Sequence, residues 1–276
     1  VVGYDLVHLL VGSEGTLGII TKLILRLLPR PRAVATAVAF FPDLSDVMEA
    51  VQAVLVRGYL PSAVEFLDRA CLELVGDLLP FPDARKAGAF LLLETDGHPD
   101  FISREIEEMG EICAEKGAGD ILLAPDSLKR ARLWEIRREV ALRIEHHAEV
   151  HVPEDIAVPI GKIAEFVTEL PDFEKAHGMR IYAFGHAGDG NIHLIVTAAG
   201  RDRRDRIDEG IRRILEKVIS MGGTISGEHG IGLAKKRFLT LELSPVSIRI
   251  QKGIRNLLDP EGVLNPGKIF PDDEVP

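Results

Sequence analysis

The sequence predicts an α+β protein: two consecutive β-α-β-β-α-β (ferredoxin-like) units that share one antiparallel sheet with helices on one face, plus a C-terminal helical segment. Three observations carry this expectation. Between residues 33 and 124 the hydrophobic pattern alternates between period 2 and period 3.6 in the order strand, helix, strand, strand, helix, strand. The same order recurs between residues 156 and 226 without repetition of the residues themselves. Gly188, Asp189, Gly190 and Asn191 lie between two apolar, β-branched runs, which marks a hairpin and hence antiparallel pairing.

Residues 1–30 place Gly12, Gly15 and Gly18 ahead of an alternating apolar run that reads as a strand. Glycines there let backbone pass close to a flat ligand. Pro29 and Pro31 mark a boundary. A strand is predicted over 33–41, then a helix over 44–57 with Leu44, Val47, Met48, Val51, Val54 and Leu55 on one face. Strands follow at 62–67 and 88–95, separated by a loop with Pro80 and Pro82. A helix over 101–116 stops at Gly117, and a strand over 120–124 closes the first unit. A long helix over 127–147 links the units, with Leu128, Ala131, Leu133, Trp134 and Ile136 as its apolar side. The second unit reads as a strand at 156–158, a helix at 160–177, hairpin strands at 180–186 and 192–198, a helix at 205–221 and a short strand at 223–226. In the 205–221 helix Ile207, Ile211, Ile214, Leu215 and Val218 point inward, and a terminal helix spans 244–257. The expected divisions are therefore 1–30, 31–125, 126–242 and 243–276.

A chain of 276 residues buries a sizeable core. Its net charge of −10 argues against nucleic acid or an anionic membrane surface as main partner. No apolar run reaches the roughly 20 residues of a transmembrane helix, and no signal-peptide pattern is visible. Cys71 and Cys113 sit among apolar residues on predicted helices and read as buried free thiols of a reducing compartment. The expected location is the cytoplasm, with a partner able to bring the protein to the inner face of the membrane.

Chemistry concentrates in two glycine-rich islands. Residues 184–193 read Phe-Gly-His-Ala-Gly-Asp-Gly-Asn-Ile-His, and residues 223–232 read Gly-Thr-Ile-Ser-Gly-Glu-His-Gly-Ile-Gly. His and Glu are ligands for a borderline metal such as Zn²⁺. His186 ends one hairpin strand and His193 starts on the next, so the two arms can aim two imidazoles at a common point. Glu228 would complete a three-ligand set, which leaves a position open, as in catalytic sites. His229 would face the same cavity as a non-ligating base. A His-x6-His spacing is weak by itself and the turn is only a turn; the joint occurrence of both islands carries the reading.

The two islands resemble the C-terminal half of the FAD-linked 2-hydroxy-acid dehydrogenases: the glycolate oxidase flavin subunit, D-lactate dehydrogenase and D-2-hydroxyglutarate dehydrogenase group. The resemblance extends over essentially the whole chain. Residues 12–21, Gly-Ser-Glu-Gly-Thr-Leu-Gly-Ile-Ile-Thr, resemble the group's flavin-facing motif. Residues 133–138, Leu-Trp-Glu-Ile-Arg-Arg, resemble its Trp-x-x-Arg motif, and residues 264–268, Leu-Asn-Pro-Gly-Lys, its closing motif. The resemblance implies FAD as cofactor, with Gly12, Ser13, Gly15, Thr16, Gly18, Ile19 and Asn265 near the flavin. Residues 1–30 would be the end of an FAD-binding domain whose earlier part, with its pyrophosphate loop, is missing from this chain. The chain alone should then hold FAD poorly and be inactive. The group's other features imply a divalent metal (Zn, with Mn or Fe as alternatives) on His186, His193 and Glu228, and His229 as base. Arg137 would hold the substrate carboxylate and Asn191 would add a hydrogen bond. Asp189 is expected to brace the turn, and Lys235 and Lys236 to be solvated. The implied partners are a small 2-hydroxy acid and an iron-sulfur or other electron-acceptor subunit, with a homodimer as the assembly.

Substrate size follows from departures. In the 2-hydroxyglutarate relatives a lysine precedes an Asp-x-Ser-x-Pro strand and an asparagine lies two positions past the second hairpin histidine. Here residues 153–159 read Pro-Glu-Asp-Ile-Ala-Val-Pro and the second position is Ile195, which favours glycolate or D-lactate. The competing readings are a non-catalytic subunit of a glycolate oxidase-type complex, a hydrolytic metal domain, and a metal-free flavin enzyme of the ether-lipid synthase kind.

Overall fold

In chain order the regular elements are α1 (Leu6–Leu10), β1 (Ala33–Phe41), α2 (Leu44–Val56), β2 (Ala63–Asp68), α3 (Arg69–Leu74), β3 (Ala89–Gly97), α4 (Pro99–Glu115), β4 (Asp120–Leu123), α5 (Ser127–His147), β5 (Val150–Ala157), α6 (Ile163–His177), β6 (Arg180–His186), β7 (Asn191–Ala198), α7 (Arg204–Ser220) and α8 (Pro245–Leu258). The structure, a computed structural model, describes residues 2–200 and 204–271. Local chemistry sets many of the boundaries. Asp43 and Asp126 cap α2 and α5 by accepting first-turn N–H groups. Gly178, at φ 65°, ends α6, and Ser244 followed by Pro245 starts α8.

Among the described residues seven strands form one sheet in the order β4-β1-β3-β2-β6-β7-β5, with every neighbouring pair antiparallel. Strands β1 to β4 with α2 and α4 make one β-α-β-β-α-β unit. Strands β5 to β7 with α6 and α7 repeat its order as far as β-α-β-β-α, with an isolated bridge at Thr224 in place of the last strand. The units join edge to edge where β2 pairs with β6 from Glu65↔His186 to Leu67↔Phe184. Just past this seam the half-buried Asp68 accepts the N–H of Ala183 through its carboxylate and caps α3.

Alternate strand residues face opposite sides of the sheet. Ala37, Ala39 and Phe41 of β1 and Leu194 and Val196 of β7 pack with α2, α4, α6 and α7, so the four helices of the two units share one face. Val38, Phe40, Phe90, Leu92, Phe184 and Ile195 point the other way, against α3 and α5. The α5 stripe is Leu133, Ile136, Val140 and Ile144, at helical spacing. Each such burial contributes about 2 kcal/mol. Leu128, expected in that stripe, is 64% exposed because it sits in the first turn, ahead of the contact.

Two expected strands are corrected. Residues 18–31 form no strand: Ile24, Leu27 and Leu28 are exposed, and no described strand lies beside them to supply ladder hydrogen bonds. The expected strand at 223–226 is a single bridge, Ala157↔Thr224. Its next N–H groups leave the ladder. Ile225 donates to Glu242 Oε2, Ser226 to Thr224 Oγ1 and Gly227 to the Asp155 carbonyl. Cys71 and Cys113 are buried free thiols. No helix among the described residues is long and apolar enough to cross a membrane.

Candidate functional site

Hairpin register builds the centre of the site. Strands β6 and β7 pair with Phe184 opposite His193 and His186 opposite Asn191. His186 and His193 are therefore diagonal neighbours on one face. That face is the one opposite α2, α4, α6 and α7, and α5 lies along it. The Nε2 atoms of His186 and His193 are 3.4 Å apart. Glu228 Oε1 stands 3.9 Å from the first and 3.6 Å from the second. His229 stacks on His193 with ring centroids 5.4 Å apart, and its Nε2 is 3.6 Å from Glu228 Oε1.

A buried acid lies behind each imidazole. Glu65 of β2, directly opposite His186 in the ladder, accepts from His186 Nδ1 through one oxygen and from Arg137 Nε (2.7 Å) through the other. The contact turns the Nδ1 edge of His186 toward Glu65 and leaves its Nε2 aimed at His193. Asp155 of β5, 1% exposed, sits opposite His193 with Oδ1 3.6 Å from its Nδ1. Its Oδ2 accepts the backbone N–H groups of Glu228 (2.7 Å) and His229 (2.8 Å). Gly227 permits this approach, since a Cβ there would lie 2.5 Å from Asn191 Nδ2 and 2.8 Å from Asp155 Oδ1.

The titration behaviour follows from these contacts. The hydrogen bond to Glu65 holds His186 above its ordinary pKa, against burial. Burial, with the Arg137 charge and His186 beside it, pushes His193 down to about 4. Burial works to raise Asp155, but the backbone N–H groups of His229 and Glu228 lead the contacts that hold it below its usual value.

The donor set fits a cation. Two imidazole nitrogens 3.4 Å apart need a proton or a cation between them. Tetrahedral bonds of about 2.0–2.1 Å place donor atoms roughly 3.3 Å apart, close to the spacing of the two histidines. Asp155, His193, Glu228 and His229 also bring one donor atom each within 4.8 Å of one another, so His193 and Glu228 belong to both groupings.

Around this centre the expected residues divide. Arg137, on α5, lies with its Cζ 4.6 Å above the Phe184 ring. Asn191 is 6% exposed, and its buried Oδ1 has no hydrogen-bond partner. Asp189 braces the turn by accepting the Asn191 N–H. Gly12, Ser13 and Thr16 line a cavity of about 530 Å³ with Gly227, Glu228 and the α8 residues Gln251, Ile254 and Arg255. Gly15 packs on Asn265, whose Nδ2 donates to the Glu14 carbonyl. Gly18 and Ile19 fall outside that lining, and Ile19 is 80% exposed. Lys235, expected in solvent, is 6% exposed. Its Nζ donates to the carbonyls of Asp155 and Ile225 and lies 3.3 Å from Glu154 Oε2, so burial here is offset by pairing. Glu65 lies in no motif, and Asp155 lies in the 153–159 strand but is not among the expected site residues. Their one signal is an acid inside an apolar strand run, Ala-Val-Glu-Phe-Leu for Glu65 and Glu-Asp-Ile-Ala for Asp155.

Residues 30–269 match the family described as FAD linked oxidases, C-terminal domain. The chain is 34% identical over 275 residues to the glycolate oxidase subunit GlcD of Bacillus subtilis, covering 99% of this chain and 58% of that protein. It is 34% identical over 280 residues to a D-lactate dehydrogenase of Anaerostipes hadrus, covering 97% and 58% respectively. The chain thus spans little more than half the length of these relatives. Among solved structures, an alkyldihydroxyacetonephosphate synthase superposes with a TM-score of 0.68 at 17% identity, over 96% of this chain and 50% of the other. A p-cresol methylhydroxylase superposes with a TM-score of 0.66 at 12% identity, over 89% and 54%. These likenesses establish the shared fold. With the family match over 30–269, the chain belongs to the FAD-linked oxidases, as their C-terminal domain.

Proposed function

We propose that this chain is the substrate- and metal-binding part of an FAD-dependent dehydrogenase that oxidises a small 2-hydroxy acid, glycolate or D-lactate, to the 2-oxo acid. The observation that carries the reading is the convergence of His186 Nε2, His193 Nε2 and Glu228 Oε1 within 3.9 Å, each imidazole backed by a buried acid. These three residues would hold a divalent metal, Zn first, which supplies Lewis-acid polarisation of the substrate oxygens. Asp155 acts from behind, because its Oδ2 already serves two backbone N–H groups.

Arg137 commits Nε to Glu65 and leaves its Nη groups for the substrate carboxylate. Asn191, paired with His186 across the hairpin, adds a hydrogen bond to the substrate through its side-chain amide. His229, the more exposed imidazole, takes the hydroxyl proton, and the hydrogen on the adjacent carbon leaves as hydride. Flavin, carried by the part of the protein that Gly12 to Ile19 and Asn265 face, supplies the hydride acceptor. A small substrate fits because Ile195 is buried under α5 and Lys235 is committed to Asp155, Ile225 and Glu154. Neither offers a cation to a second carboxylate. Relatives named as glycolate oxidase subunits support a partner subunit as electron acceptor.

The test is the metal content of this chain, wild type against His193→Ala, purified without added metal, followed by turnover of 2-hydroxy acids by the full-length protein. One metal per chain, lost in the variant, and oxidation of glycolate or D-lactate are the expected results. A folded wild type with no metal affinity, or a full-length enzyme indifferent to Arg137→Met, would overturn the assignment.

A further inference from the structure

The loop that carries Glu228 and His229 belongs to no helix or strand, yet its backbone is tied residue by residue. Gly227 N–H donates to the Asp155 carbonyl (3.3 Å), and those of Glu228 and His229 donate to Asp155 Oδ2 (2.7 and 2.8 Å). Gly230 donates to Ser226 Oγ (2.8 Å). Ile231 and Gly232 then donate to Glu14 Oε1 (2.7 Å) and Oε2 (2.8 Å), across 217 and 218 residues of sequence. One carboxylate from β5 holds the first half of the loop and one from the N-terminal segment holds the second.

Glu14 is itself built into place. Its φ is 52°, in the left-handed region that a non-glycine residue enters at a cost. Its carbonyl accepts from Asn265 Nδ2 (2.7 Å), and Asn265, at φ 43°, is a second such residue. Gly230, at φ 81°, clears the contact, since a Cβ there would lie 2.7 Å from Glu14 Oε1. Strained backbone at two residues that hydrogen-bond each other persists only where the surroundings enforce it. Here the enforced geometry ends on two N–H groups, two and three residues past His229.

We propose that Glu14 is a positioning residue for the candidate metal site. Its carboxylate, on a backbone whose carbonyl Asn265 holds, sets where Glu228 Oε1 and His229 stand relative to His186 and His193, and so couples the flavin-facing N-terminal motif to the metal-binding loop. This rests on the metal reading above. A carboxylate is required because both oxygens accept; a glutamine would turn an NH₂ group against one of the loop N–H groups. Glu14→Gln should therefore behave like Glu14→Ala and not like wild type, which a role in packing alone would not produce.

The experiment titrates Zn²⁺ and Co²⁺ alone into the metal-stripped chain, as wild type, Glu14→Ala, Glu14→Gln, Asn265→Ala and the exposed-site control Glu261→Gln, with circular dichroism to verify folding. Both Glu14 variants are expected to bind about 10-fold more weakly or worse, the range typical of groups behind a ligand, and to shift the visible Co²⁺ absorption. Asn265→Ala should shift both in the same direction by less, and Glu261→Gln neither. Folded Glu14 variants with wild-type affinity and an unchanged Co²⁺ spectrum would overturn the proposal while leaving the metal reading intact. A folded wild type that takes up no metal would instead sink the metal reading. The positioning role is then decided by amide exchange: protection at Glu228 and His229 lost in Glu14→Gln supports it, and protection retained there overturns it.

Discussion

Replacing Glu65 with Gln should weaken metal binding in a way that depends on pH. Glu65 is 4% exposed and serves two donors, His186 Nδ1 and Arg137 Nε. A glutamine keeps the shape but has a single acceptor oxygen, so one donor loses its partner. Loss of a group behind a metal-bound histidine costs about 10- to 100-fold in affinity, or about 1.4–2.7 kcal/mol. The stability loss of the metal-free chain should lie near the lower end of the roughly 3–5 kcal/mol for a broken buried pair, because Arg137 is partly exposed and keeps the Phe184 ring beneath it. Glu65 also holds His186 above its ordinary pKa, and metal must displace that proton. Wild-type affinity therefore falls as pH drops through the raised value, whereas in Glu65→Gln the competition begins at lower pH. The affinity gap is widest above the raised value and narrows below it, so it is larger at pH 8 than at pH 6. In the metal-free chain the sign reverses: the His186 contribution to stability is complete below its unfolded value of 6.5 and is lost as pH rises through the raised one. Competition against a chromophoric chelator at both pH values reads the effect. Equal affinities, or a loss of one size at pH 6 and pH 8, would refute the assignment of Glu65 as the group orienting His186.

The remaining expectations are shorter. Burial holds His193 neutral down to about 4, so acid should destabilise the metal-free chain by up to roughly 3 kcal/mol between pH 6.5 and pH 4; urea melts across that range should show the slope in wild type and a flatter one in His193→Gln. Lys235→Met leaves Glu154 buried without its cation and two carbonyls without a donor, and should cost about 3–5 kcal/mol in thermal unfolding, less when combined with Glu154→Leu. In the full-length protein Arg137→Lys should lower kcat/KM for 2-hydroxy acids at least 10-fold, because an ammonium cannot hold Glu65 and a carboxylate in the same fork geometry; an unchanged kcat/KM would detach Arg137 from the substrate. Burial raises the Cys113 thiol to about 12 and Cys71 well above its usual value, so a thiol reagent at pH 8 should label neither until the chain unfolds.

Much of the fold was legible because each element announces its own period. The five inward residues read for α7, from Ile207 to Val218, are all at most 1% exposed, and both hairpin strands fall within a residue of their expected bounds. What failed were features that a neighbour decides. The alternating run in residues 18–31 has strand composition, but a strand exists only when another supplies its hydrogen bonds. The chain at 223–226 pairs at one residue because Glu242 and the Thr224 hydroxyl take the next N–H groups. The apolar side of α5 was misplaced toward Leu128 because that helix is ringed with arginines and its periodicity is faint. Only its docking on β1, β3 and β6 shows which stripe is buried.

The site divides along the same line. His186, His193, Glu228 and His229 sit in islands whose glycines and turn chemistry are visible as text, and the hairpin register brings the two strand histidines together. The acids behind them are not visible as a group, because each acts on a partner far away in sequence: Glu65 on His186 across 121 residues, Asp155 on Glu228 across 73, Glu14 on Ile231 across 217. A carboxylate that accepts backbone N–H groups leaves no spacing rule, since every non-proline residue offers one. Lys235 misled for the complementary reason. Two adjacent lysines after a glycine-rich loop read as solvated charges, and only the fold shows that one of them points into the sheet beside Glu154. The identities of the reactive groups are thus local in this chain. Their orientation is not, and it rests on acids whose replacement by amides would change few features of the sequence while removing the geometry on which the proposed chemistry depends.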